Sequence, residues 1–143
     1  MSQALLEAFA HATEDPGKVA QAMLNLLPPE LRDEGRISYE EVRGHYDNPI
    51  LILRLRLQGP EVEALLRFLA ESMSESDKLS LGATLGLRVD EEGHLYVRFD
   101  KASAFKGEVR LADRGEAIRV KALIPSRGLE RLRPLLAEVG LIK

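Results

Sequence analysis

Six basic side chains recur at alternate positions within short apolar runs. Arg54 and Arg56 lie in Leu51–Leu57, Arg98 in Leu95–Phe99, Arg110 in Glu108–Ala112, and Arg119 and Lys121 in Ile118–Ala122. Side chains alternate faces along a strand, so each run sends apolar residues to one side and cationic groups to the other. Gathered on one sheet, these six cations with Tyr96 beside Arg98 form a landing surface for a polyanion. Basic side chains neutralise phosphates, and a tyrosine ring stacks on an unpaired base. Fourteen of the twenty basic residues are arginine, whose planar fork binds phosphate through two hydrogen bonds. The plainer reading of the same residues is a solvated strand face paired with Glu108 or Asp100.

Other chemistry is weaker. His11, His45, Asp15, Asp47 and Asp100 are of the types that hold metals for phosphodiester cleavage. His11 and His45 are, however, far from any short ligand-like spacing, and the run from His45 to Pro49 is sufficient as a turn. His11, Thr13, Glu14, Asp15 and Lys18 could form an anion site at a helix start, but Glu14 and Asp15 already occupy the positive end. His94, next to a turn glycine, reads as exposed. The chain carries no phosphate-binding loop, dinucleotide fingerprint, zincin motif or serine elbow. With no cysteine, thiolate chemistry and disulfides are excluded. The expectation is a non-enzyme with no catalytic residue, no metal and no cofactor.

A length of 143 residues suits one domain, residues 1–143, burying roughly 68–70% of the surface its unfolded chain exposes. No apolar run approaches the roughly 18 residues of a membrane span and no signal peptide opens the chain, so a cytoplasmic, membrane-free protein is expected. The net charge of −3 conceals an asymmetry: residues 100–143 hold ten basic against six acidic residues, residues 1–99 ten against seventeen. The basic third includes Lys101 and Lys106, further candidates for phosphate contact.

These residues need a frame to hold them. Asp15-Pro16 is a helix start, with Val19, Ala20, Met23, Leu24 and Leu27 at helical spacing before Pro28-Pro29. Residues 36–44 and 49–57 read as a hairpin around Tyr46-Asp47-Asn48-Pro49. Gly59-Pro60 opens a second helix with Val62, Leu65, Leu66, Leu69 and Met73 as its stripe. Ser76-Asp77 starts a shorter helix closed by Gly86. Leu87–Val89 and Leu95–Phe99 are expected to pair around residues 90–93, and Asp113–Glu116 to turn a hairpin between 108–112 and 118–122. A last helix begins near Ser126, with an expected kink or restart at Pro134. Ala4–Ala10 favours helix by propensity.

Three strings resemble an archaeal family of proteins described as RNA-binding and associated with the exosome, the RNA-degrading complex. They are His11–Asp15 with Lys18-Val19, then Gly44–Ile50, and then Leu95–Lys101. That family looks like relatives of a large-subunit ribosomal protein that binds the small ribosomal RNA, and its fold has been compared with double-stranded-RNA-binding domains. The resemblance implies an α+β domain with a single, mostly antiparallel sheet and helices packed on one face. It also implies that residues 4–12 form a strand, against their propensity. Together with the residue pattern, it leads to the expectation of a non-catalytic RNA-binding protein linked to RNA processing or degradation, with the pattern itself placing the contacts at Arg54, Arg56, Tyr96, Arg98, Lys101, Lys106, Arg110, Arg119 and Lys121. Two alternatives stand beside it: an assembly subunit meeting a protein partner through the sheet face or the acidic second helix, and a metal-dependent nuclease.

Overall fold

Period-two burial marks most of the strands. The structure is a computed structural model that describes residues 2–112, 115–125 and 129–143. Strands β1 (Gln3–Ala10), β2 (Ser38–Arg43), β3 (Pro49–Gln58), β4 (His94–Asp100) and β5 (Ala117–Leu123) form one sheet in the order β2-β3-β1-β5-β4. Every pairing is antiparallel. Helices α1 (Pro16–Asn25), α2 (Pro60–Ser72), α3 (Glu75–Ala83), α4 (Leu85–Arg88), α5 (Lys101–Phe105) and α6 (Leu129–Val139) complete the α+β fold.

The core lies between the helices and one face of the sheet. Leu6, Leu53, Leu55, Val97, Phe99 and Val120 point into it and are buried. Helix α1 packs on β1 and α2 on β3. Asp15 caps α1 by accepting from the Gly17 amide at 2.9 Å, as the sequence anticipates. No described helix covers the opposite face, and its residues on β3, β4 and β5 alternate with the buried ones.

β1 is the central strand, although Ala, Leu and Glu favour helix. Its alternation is one of size as much as polarity: Ala4, Leu6, Ala8 and Ala10 point inward, Gln3, Leu5, Glu7 and Phe9 outward. Small inward residues let α1 approach, and pairing on both sides with β3 and β5 outweighs a propensity of a few tenths of a kcal/mol per residue.

Other expectations are corrected. Residues 108–112 form no strand beside 118–122; β5 instead sits between β1 and β4. The segment runs along the outer edge of β4, joined by an isolated Phe99–Leu111 bridge. The Asp113–Glu116 turn lies partly outside the described residues. Leu87 and Arg88 belong to the single turn α4, and only Val89 bridges to Leu95. Helix α3 is capped by Ser74, whose hydroxyl accepts from the Asp77 amide at 3.1 Å, and it ends at Ala83. Glycine 86 therefore lies inside α4 and closes nothing. The start expected near Ser126 lies outside the described residues, while α6 runs from Leu129 through Pro134 without restarting.

Candidate nucleic-acid interface

Strand register assembles the open face in rows. One row runs Arg56, Leu5, Lys121, Tyr96 across β3, β1, β5 and β4; the next runs Arg54, Glu7, Arg119, Arg98. Neighbouring strands are about 4.8 Å apart, so each row spans roughly 15 Å. Arg98 and Arg119 are directly opposed, as are Tyr96 and Lys121. Six of the nine expected RNA-binding residues therefore share one surface: Arg54, Arg56, Tyr96, Arg98, Arg119 and Lys121.

The cations are not equally available. Arg54 donates through Nε to Glu7 at 2.9 Å and reaches Glu40 at 3.3 Å. These two carboxylates neutralise it and hold its guanidinium above the ordinary arginine value, the Glu7 hydrogen bond contributing most. Arg119 lies 3.9 Å from Glu7, a long contact for a carboxylate already bonded to Arg54, and its guanidinium carbon sits 5.6 Å from the centroid of the Phe9 ring. Arg56, Arg98 and Lys121 have no ion-pair partner among the described residues. Like charges directly opposite on adjacent strands destabilise a sheet, so the Arg98–Arg119 pair is a place where an anion relieves repulsion.

Tyr96 is a half-open platform at 41% exposure. The Lys121 ammonium stands 5.6 Å from its ring centroid, and its hydroxyl donates to Asp90 at 2.9 Å. Burial works to raise the Asp90 carboxyl, but the His94 amide, the Tyr96 hydroxyl and the His94 ring outweigh it and hold the pKa below the usual range. The ring is thus locked in orientation. His94 is packed against Asp90 with its Nδ1 3.2 Å away, rather than standing free as its place beside a turn glycine suggests.

Three expected residues fall elsewhere. Lys101 is buried at 7% exposure. Its ammonium donates to the Phe9 carbonyl at 2.9 Å and pairs with Glu14 at 2.9 Å and Glu116 at 3.5 Å. Position alone put it on the surface; the structure makes it the bolt between the end of β1 and the start of α5. Lys106 lies past α5, beyond the end of β4. Arg110 lies outside β4 on the edge segment, paired with Glu108 at 3.0 Å.

The residue that sequence reasoning missed is Glu7, the acidic centre of the face. Its signal was the outward alternation of β1, hidden by helical propensity. A cleft of about 420 Å³ also opens at the end of the first row, lined by Leu5, Arg56, Gln58, His94 and Lys121 among others. The candidate metal ligands do not converge: among the described residues no group of three or more His, Asp or Glu is placed to hold an ion. Glu14 and Asp15 are engaged by Lys101 and the helix cap, the capping role that the sequence favours over an anion site. No described helix is long and apolar enough to cross a membrane.

The fold is an antiparallel α+β sheet whose open face carries Arg56, Arg98 and Lys121 without ion-pair partners among the described residues. The chain belongs to the family described as RNA binding, whose model matches residues 3–124. It is similar to an RNA-binding protein of Pyrococcus abyssi, 34% identical over 81% of this chain and 77% of that one. An uncharacterized protein of Methanocaldococcus jannaschii is 35% identical over 94% of this chain and 95% of its own length. Among solved structures, a protein of Archaeoglobus fulgidus matches with a TM-score of 0.81 and 31% identity, covering 96% of this chain and 97% of that chain.

Proposed function

We propose that this chain, acting as one domain over residues 1–143, is a non-catalytic RNA-binding protein that holds RNA phosphates against its open sheet face. Arg56, Arg98, Arg119 and Lys121 make the contacts, and Arg54 contributes where RNA competes with Glu7 and Glu40. The observation that carries this reading is the direct opposition of Arg98 and Arg119, an arrangement that costs stability in the free protein and is relieved by an anion. The family and the relative from Pyrococcus abyssi support RNA as that anion. A role in RNA processing or degradation follows from the sequence resemblance.

Equilibrium binding of a labelled RNA tests it. Arg98→Glu with Arg119→Glu should reduce affinity by two orders of magnitude or more, since each reversal removes a phosphate contact and adds repulsion. Lys106→Glu, away from the face, should change it little. Equal affinities for wild type and the double variant would remove the face from the account.

A further inference from the structure

The turn joining β2 to β3 holds the backbone in a conformation its residues resist. Tyr46 has φ 64° and ψ 24°, and Asp47 has φ 62°. All other left-handed residues among those described are glycines. Cβ crowding disfavours this region for any side chain, and for a bulky ring it is a true outlier. The surrounding atoms enforce it. The Gly44 amide donates to the Asn48 carbonyl at 2.7 Å, the Asp47 amide to the Gly44 carbonyl at 3.1 Å, and the Arg43 guanidinium to the Asp47 carbonyl at 3.3 Å. A Cβ on Gly44 would lie 2.5 Å from Ile50 Cδ1, so a side chain there would push the Ile50 methyl aside.

The strain is not repaid by packing. Tyr46 is 87% exposed. Its ring meets the His45 ring edge-on, with centroids 4.3 Å apart and planes at 73°. Glycine or asparagine would occupy position 46 with less strain, and the core would lose nothing. A large aromatic held open by an over-determined turn is the geometry of a contact awaiting a planar partner.

We propose that Tyr46 is a stacking site for one unpaired RNA base, with His45 braced at the ring's edge. This rests on the RNA-binding reading but uses different residues and a different force. β3 runs from the turn straight to the cationic rows, about 17 Å from Pro49 to Arg54 at strand rise, so a strand held on the face can extend to the tip. The tip's neighbours Arg43, His45 and Asp47 are polar or charged, which suits a single stacked ring better than an apolar protein patch.

The native chain has no tryptophan, so Tyr46→Trp gives a fluorescence signal from the tip alone. It is titrated with a short single-stranded oligoribonucleotide and with a blunt RNA duplex. The single strand should quench it and the duplex should not. Tyr46→Ala, checked for folding by circular dichroism, should bind the single strand roughly 5- to 100-fold more weakly, while Tyr46→Phe, which keeps the ring, binds as wild type. If Tyr46→Ala binds single strands normally while Arg98→Glu with Arg119→Glu fails to bind, the stacking site is wrong and the basic face stands; a tip serving a protein partner gives this same result. If the wild type binds neither RNA, both readings fall.

Discussion

Arg98 on β4 and Arg119 on β5 are direct cross-strand neighbours on the open face, and among the described residues the only carboxylate within 4 Å of either guanidinium is Glu7, 3.9 Å from Arg119. A sheet selected for stability alone would place opposite charges there. Replacing one arginine should therefore stabilise the fold while weakening its binding. Arg98→Thr is expected to raise stability by about 0.2–1 kcal/mol in urea unfolding, and to lower RNA affinity in parallel. A variant that loses stability would show that the pair is held apart by solvent and carries no repulsion.

Glu7 should restrain the surface around it. Its carboxylate takes the Arg54 Nε at 2.9 Å and attracts Arg119. Glu7→Gln removes that charge while leaving an oxygen to accept from Arg54. RNA affinity should rise roughly fivefold, the worth of about 1 kcal/mol for one charge at 4 Å in water. Filter binding at low salt measures it, and unchanged affinity would mean that Arg54 and Arg119 do not reach the RNA.

Lys101 is a structural cation. Its ammonium is buried and bonded to Phe9, Glu14 and Glu116, so Lys101→Met strands Glu14 beside the core. Glu14 keeps 31% of its side chain exposed, so loss of its buried partner costs about 1–3 kcal/mol. Thermal unfolding should report that loss, with RNA affinity at a temperature where the variant stays folded close to wild type. A large affinity loss in folded protein would return Lys101 to the binding surface.

Acid should loosen the same end of the sheet. Burial works to raise the Glu14 carboxyl, but the Lys101 ammonium and the His11 amide outweigh it, so its folded pKa lies below the ordinary value of 4.5. The Ser103 hydroxyl and amide hold Asp100 below its ordinary 3.8. A carboxyl whose pKa is depressed on folding contributes fully above its unfolded pKa, and the contribution disappears as pH falls through the folded one. Stability should thus be level from neutrality to about pH 5 and fall below pH 4.5. In urea unfolding at pH 7 and pH 3.5, Glu14→Gln should show a smaller drop than wild type. Equal drops would mean that the Lys101–Glu14 contact does not matter to acid stability.

Much of the face was legible because alternation is local. Arg54, Arg56, Arg98, Arg119 and Lys121 each sit in a run whose period shows their side of the strand, and antiparallel pairing then brings them together. Arg110 carries the same local pattern, yet its run follows the edge of β4 and forms no strand of the sheet, a matter of long-range partners that periodicity does not encode. Lys101 failed for a related reason: its partner carbonyl on Phe9 is 92 residues away in sequence. β1 needed the family resemblance, since its alanines read as helix until neighbouring strands are known. The left-handed tip was invisible because a tyrosine does not announce a positive φ, although the aspartate after it tolerates one.

The most direct test of the account is the salt dependence of RNA binding by wild type and by Arg98→Glu with Arg119→Glu. Four phosphate contacts should give wild type a slope of about −3 in log affinity against log salt, and the double variant a slope nearer −1 with weaker binding at every salt concentration. Identical slopes and affinities for the two proteins would contradict the claim that RNA lies on this face.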